Sequence, residues 1–354
     1  MRVVVVGAGV IGLFAAVRLA KAGARVTLLE AENEDLSVFG PAASAAAAGM
    51  LSPLGEPTAH DALALASFDL WRAQSKDAPW ADGVRFDGGV MVKPSAEDAA
   101  TAAARCEGLG RTASPLSAGE FRRRTGLQAR VENAVYVADE GVADPLRVLS
   151  GLVMQARKLG VQIKYRHDVS EVSANSVTTY EGGAFEADAI VLAPGAWATE
   201  ALIKAAPALR HVRPAKGHLV SVQLTRALLP NVRAGSFYLS QRLEEVVLGA
   251  TMEFDRADRR VEPSRVEELV SRAEALFPGE FKPGRAWTGI RPMSPDGAPM
   301  IGPSGAPNII VAAGHSRNGW LFAPITAEII RAHVFGDAIA PEWAALSPER
   351  FETP

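Results

Sequence analysis

Cysteine is almost missing. Cys106 is the only one in 354 residues, which excludes an internal disulfide and a multi-cysteine metal site and fits a reducing cytoplasm. An excess of either charge is missing too. The formal net charge is -3, and the one basic block, Arg122-Arg123-Arg124, reads as a solvated helix face, so no nucleic-acid partner is expected. No apolar run suits a membrane span, because the longest, the opening strand and its helix, are broken by Gly, Arg and Lys. A secretory signal is not expected either, since a strand starting at Arg2 leaves no room for a charged region, apolar core and cleavage site before it. Internal repeats and low-complexity linkers do not appear. The length then suggests a soluble, cytoplasmic enzyme of roughly two domains, large enough to shelter a cofactor.

What is present begins at the first residues: Val3-Val4-Val5-Val6-Gly7-Ala8-Gly9-Val10-Ile11-Gly12, with Glu30 closing the next apolar run. The valines read as a buried parallel strand. Gly7 permits the tight turn, Gly9 lets backbone approach a pyrophosphate, and Gly12 lets the next helix press on the sheet. Free amides around Val10 and Ile11, with the helix dipole, favour phosphate. Val26-Thr27-Leu28-Leu29 is the second strand, and Glu30 follows the glycines by roughly 20 residues, where a carboxylate accepts ribose hydroxyls. Strand, helix and acid in register make a dinucleotide site, with FAD and NAD equally open at this point.

The run Pro41-Ala42-Ala43-Ser44-Ala45-Ala46-Ala47-Ala48-Gly49-Met50-Leu51 has two readings: an Ala-rich helix, or a short helix against which a planar ligand lies, with Gly49 allowing backbone contact. Around Val84 to Val92 two alternating runs flank Asp87-Gly88, predicting an antiparallel hairpin. Asp144 and Pro145 predict a capped helix over 145–159, followed by a strand at Val161–Tyr165. Ala189–Ala193 is an apolar strand ending in Pro194-Gly195-Ala196-Trp197, at the edge where such sheets bind ligands. From Arg213 the pattern is strand-like and antiparallel, with one helix near Ser264–Phe277. Asn308–Gly314 and a terminal helix return to the first sheet. The fold class is therefore α/β: a Rossmann-type nucleotide domain (1–80, 140–210 and 286–354) with a second α+β, antiparallel-sheet domain (81–139 and 211–285).

Three segments, VVGAGVIGLFAAVRLAKAGARVTLLE, SAAAAGMLSP, and GIRPMSPDGAPMIG with AAGHSRNGWLFAP, together resemble the flavin-dependent amine and D-amino-acid oxidases, most closely the bacterial glycine oxidases of the thiazole-biosynthesis type. The match runs essentially end to end, and the last pair is the specific part. The resemblance implies a glutathione-reductase-like FAD-binding domain and dissociable FAD. Cys106, in an Ala-rich surface helix, is expected to lie far from the flavin segments, unlike the attachment cysteine of monomeric sarcosine oxidases. It implies that Gly195, Trp197, Gly314, His315, Arg317, Asn318, Gly319 and Trp320 contact the flavin, that Ser44, Gly49, Met50 and Leu51 line its other side, and that Val169 meets the adenine. The helix near Asn318 would aim its positive end at the ring.

For substrate, the resemblance implies Arg291 as carboxylate anchor, suited by its planar two-donor fork. It implies Tyr238 as the hydroxyl beside it, although one register places Phe237 there instead; strand faces alternate, so only one looks inward. Met252 matches a residue beside the substrate. Two departures bear on pocket size: Ala45 stands where relatives often carry Lys or Arg, and Trp320 stands where they carry a smaller aliphatic. Trp320 either narrows the site or packs on the second domain. His315 is expected to order its loop. The implied function is oxidation of a small amine-bearing carboxylate (glycine, sarcosine or small D-amino acids) by hydride transfer to flavin N5, giving an imine, then a 2-oxo acid, with hydrogen peroxide from oxygen. The alternatives are a dehydrogenase passing electrons to a quinone or carrier, and a non-catalytic flavin-binding subunit. A homo-oligomer is a further implication of the family.

Overall fold

The computed structural model describes residues 1–351 except 35–39, 41, 56–59, 225–227 and 229, so Pro41 lies outside the described residues. Six strands form the first sheet, in the order Met300–Ser304, Ala306–Ala313, Ala189–Leu192, Arg2–Val6, Arg25–Glu30, Gln162–Tyr165. All neighbours are parallel except the Met300–Ser304 edge. Strands buried on both faces read as unbroken apolar runs, which is why Val3 to Val6 carry no polar residue. The helix Val10–Lys21 covers one face together with Gly319–Phe335, whose seventeen residues arrive from the far end of the chain. Phe14, Trp71 and Trp80 meet edge to face there, at 5.0 to 5.7 Å between ring centroids, contacts worth about 0.5–1.5 kcal/mol each beyond their burial. Asp144 caps the helix Pro145–Lys158 by accepting the Arg147 N–H.

Among the described residues the second sheet has nine strands, with a core of its own around Phe121, Phe237, Leu248 and Phe277. Its longest pairing joins Arg213–Leu224 to Phe281–Met293. That second strand runs unbroken through the expected boundary at 285/286, because the chain keeps pairing with Arg213 to Lys216 as far as Met293. Arg291 therefore sits on the antiparallel sheet, not on the nucleotide unit.

The expected hairpin at Asp87-Gly88 does not form. Val84-Arg85 pairs with Gly141–Ala143 in a small separate sheet, whereas Gly89–Lys93 pairs with Asn133–Val137 and Asn231–Ala234. The turn, with Gly88 at φ +81°, hands the chain from one sheet to another. Cys106 lies on the inner face of the helix Ala96–Gly108, fully buried with Leu54, Leu65 and Met91, and burial raises its thiol pKa. It is a packing residue. No helix among the described residues is long and apolar enough to cross a membrane.

Candidate active site

Two of the opening glycines are required by backbone, not by side chains. A Cβ on Gly7 (φ +99°) would stand 2.3 Å from the Ala193 carbonyl oxygen, and one on Gly12 would stand 1.9 Å from that of Gly7. Gly9 is different, since its Cβ would face the Ser44 hydroxyl at 3.3 Å. That hydroxyl accepts the Val10 N–H at 3.0 Å, tying the Ala-rich segment to the first turn of the helix. No acidic residue occupies that turn, so its amides and dipole favour an anion. Glu30 ends its strand beside them, its carboxylate accepting the Ala8 N–H at 2.7 Å and the Glu32 N–H at 3.1 Å. Gly195 (φ +62°) has nothing within 4 Å of a would-be Cβ. Trp197 is exposed and Val169 buried.

One cavity of about 2220 Å³ is lined by Gly7, Gly9, Glu30 and Val169 and equally by Tyr238 and Arg291. Ordinary small-ligand sites hold roughly 300–1,000 Å³. The whole cavity has room for a dinucleotide and a second, smaller molecule.

The Ala-rich segment is a short helix, Ala43–Ala46, and Ala46 to Met50 line the cavity. Two expectations change here, those for Leu51 and Ala45. Gly49 (φ +75°) lines the cavity and has to be glycine, because a Cβ would stand 1.8 Å from the Ala143 carbonyl oxygen. Leu51 is fully buried in the core and does not line the cavity. Ala45 is likewise buried away from it, so its small size bears on packing and not on the pocket.

The returning end of the chain supplies Arg317, Asn318 and Gly319 to the cavity, with no acid in the first turn of the helix that begins at Gly319. Gly314 (φ +68°) turns the chain out of its strand without lining the cavity. Trp320 borders the cavity and packs into the core beneath the first sheet. It stacks on Trp71 (6.1 Å between centroids) and donates from Nε1 to the Ser44 carbonyl at 3.1 Å, fastening the Ala-rich wall from behind. His315 is buried, its Nε2 3.0 Å from Thr326 Oγ1, and burial lowers its pKa to about 3. It orders the loop as a neutral ring. An unfolded His315 takes up a proton below its usual value of 6.5, the folded one only near 3, so the unfolded state binds more protons in between and stability falls with falling pH. His315→Gln is expected to flatten that part of the Tm profile between pH 6.5 and 4. Parallel profiles would contradict the assignment.

Tyr238 and Arg291 meet at the sheet's cavity face. The Tyr238 hydroxyl faces the Arg291 guanidinium, burial raising the phenol pKa while the cation opposes the rise. The phenol therefore stays protonated at neutral pH. Burial also lowers the Arg291 pKa, although a guanidinium remains charged. Phe237 points to the opposite face, edge-on to Phe277 at 6.0 Å between ring centroids. Arg291 Nη1 donates to the Thr251 carbonyl at 3.2 Å and lies 3.9 Å from Met252 Sδ. Behind Thr251, its hydroxyl accepts the His218 N–H at 2.9 Å, and Glu253 binds both His218 and Arg256.

Two glycines missed in the sequence seat this pair. A Cβ on Gly217 would stand 2.2 Å from Arg291 Nη1, and one on Gly249 would stand 2.3 Å from the Tyr238 hydroxyl oxygen. Both clashes are with movable side-chain ends, so the fold tolerates them and the guanidinium or phenol moves. Gly217→Ala is accordingly expected to raise KM about tenfold or more with the flavin spectrum unchanged, since a misplacement of about 1 Å can cost about a hundredfold in such sites. An unaltered KM would show that Arg291 does not need that seat. For Gly217 the signal was a glycine in mid-strand, which marks a close approach.

The FAD dependent oxidoreductase family model (DAO) matches residues 2–332. The glycine oxidase of Bacillus licheniformis is 31% identical over 99% of this chain and 97% of its own length. A D-amino acid dehydrogenase of Cereibacter sphaeroides is 30% identical over 65% of this chain and 56% of its own. The crystal structure of glycine oxidase from Geobacillus kaustophilus superposes with a TM-score of 0.87 at 29% identity, covering 99% of both chains. The chain belongs to the DAO family of FAD dependent oxidoreductases and is an FAD-dependent amino-acid oxidoreductase.

Proposed function

We propose that this chain is an oxidase of small amine-bearing carboxylates, with glycine, sarcosine and small D-amino acids as the substrate class, releasing an imine that hydrolyses to the 2-oxo acid. The observation that carries the reading is the Arg291–Tyr238 pair in the same cavity as the glycine-rich nucleotide cradle. The cradle fits FAD: backbone amides of two helix starts for anionic and ring acceptors, Glu30 for ribose, and an open approach at Gly195. FAD held there would supply a two-electron acceptor for the carbon that carries the amine, with oxygen as the final acceptor and hydrogen peroxide as its product.

The protein's own part is placement. Arg291 offers two parallel N–H donors to the substrate carboxylate, and the protonated Tyr238 hydroxyl adds a third. Met252 closes the side next to Arg291 Nη1. No general base is needed, because a substrate bound with its amine neutral gives up hydride directly, and positioning carries the rate. His315 is committed to Thr326. With Cys106 packed behind Met91 and Leu54 rather than lining the cavity, FAD is held without a cysteinyl bond and is released by acid denaturation.

A dehydrogenase with the same half-reaction is the second reading, favoured by the similarity to the Cereibacter protein. The test is the fate of reduced enzyme: anaerobic reduction with glycine or sarcosine, then readmission of air. Rapid reoxidation with stoichiometric peroxide supports the oxidase. Flavin that stays reduced until a quinone is added overturns it in favour of the dehydrogenase.

A further inference from the structure

Three side chains of the antiparallel sheet grip three consecutive carbonyls of the cavity wall. Trp287 Nε1 donates to the Ala46 carbonyl at 2.8 Å, Arg242 Nη2 to the carbonyls of Ala46 (3.3 Å) and Ala47, and Ser240 Oγ shares its proton between the Ala48 carbonyl at 3.3 Å and Asn231 Oδ1 at 3.0 Å. Arg242 is the centre of this grip. It is 3% exposed, its guanidinium lies 5.4 Å from the centre of the Trp287 ring, and its ion pair among the described residues is with Glu245 at 3.6 Å. A buried cation is retained only where its donors are used. Here the guanidinium reaches across to the backbone of another domain's loop.

The consequence follows from peptide geometry. In a trans peptide the N–H of one residue points opposite to the carbonyl before it. Carbonyls of Ala47 and Ala48 held against the sheet therefore aim the N–H groups of Ala48 and Gly49 to the other side, where those same residues line the cavity. Neither N–H has a protein acceptor among the described residues. Two oriented donors are thus left for the polar edge of a ligand, with a positive charge directly behind them, an arrangement that favours extra negative charge on that ligand.

We propose that Arg242 is a positioning residue for the cofactor, fixing the Ala46–Ala48 wall through its carbonyls and so setting both FAD affinity and the ease of FAD reduction. The role holds whichever amine is oxidised and does not rest on the substrate proposed above. It adds to the chain a residue that touches neither substrate nor the nucleotide glycines.

The experiment compares wild-type holoenzyme with Arg242→Gln, Arg242→Lys and Trp287→Phe, reading the FAD Kd by fluorescence and the oxidised-to-reduced ratio against a redox dye. Arg242→Gln is expected to raise the FAD Kd about tenfold and to shift the dye equilibrium about tenfold toward oxidised flavin, about 30 mV for a two-electron couple. Arg242→Lys, which keeps the charge but not the planar fork, restores the dye equilibrium more than the Kd. Trp287→Phe, removing only the Nε1 donor, gives a smaller rise in Kd. Wild-type Kd and dye equilibrium in Arg242→Gln overturn the proposal. If that variant does not fold, wild-type Kd in both Arg242→Lys and Trp287→Phe overturns it equally.

Discussion

Arg291→Ala should lose about 2–5 kcal/mol of transition-state binding, the cost of removing one partner of a desolvated, hydrogen-bonded charge pair. In kcat/KM that is about 30-fold to several thousand-fold at 1.4 kcal/mol per decade. The loss falls on carboxylate substrates and leaves FAD in place, because Arg291 belongs to the antiparallel sheet while the nucleotide glycines belong to the parallel one. The truncation also leaves the Tyr238 hydroxyl and the Thr251 carbonyl without their shared partner, which adds to the cost. Steady-state kinetics with the visible flavin spectrum as control separates the two effects. Unchanged kcat/KM with a carboxylate substrate would remove Arg291 from the site.

Gly12→Ala should have the opposite signature. Its Cβ would stand 1.9 Å from the Gly7 carbonyl oxygen, a backbone atom that cannot swing aside, so the helix must lift from the strand or the turn must open. Either movement displaces the amides around Gly9 and Val10 that the cradle depends on. The variant is expected to purify without yellow colour, with FAD affinity down by about a hundredfold or more and stability lowered by about 1–3 kcal/mol, as for other overpacked sites. Gly108→Ala is the control, since a Cβ there meets nothing within 4 Å. Bright yellow Gly12→Ala enzyme with wild-type FAD affinity would contradict the packing argument.

Features set by neighbours along the chain are legible in the sequence. The opening strand, helix and Glu30, the Asp144 cap with Pro145, and the terminal strand and helix all follow from periodicity and from glycine and proline positions. Pairing between distant strands is not legible in this way. Asp87-Gly88 looks like a hairpin turn because only the local pattern is visible, whereas the partners of its flanking strands lie 40 residues or more away, at Gly141–Ala143 and Asn133–Val137. The same blindness places a domain boundary inside the strand that carries Arg291. In the site, the residues that the resemblance implied for the substrate, Arg291 and Tyr238, come together. Those whose role is to leave space or to hold backbone, Gly217, Gly249 and Arg242, escape notice in the sequence, because an empty Cβ position and a carbonyl partner exist only in three dimensions.

Anaerobic mixing of the yellow enzyme with glycine, sarcosine and their carboxylate-free counterparts methylamine and dimethylamine tests the central claim most directly. The absorbance of oxidised flavin is expected to bleach with at least one of the amino acids and to persist with methylamine and dimethylamine, because in the proposed function Arg291 and Tyr238 hold the substrate by its carboxylate. Bleaching by dimethylamine as fast as by sarcosine, or no bleaching by any amine, would contradict it.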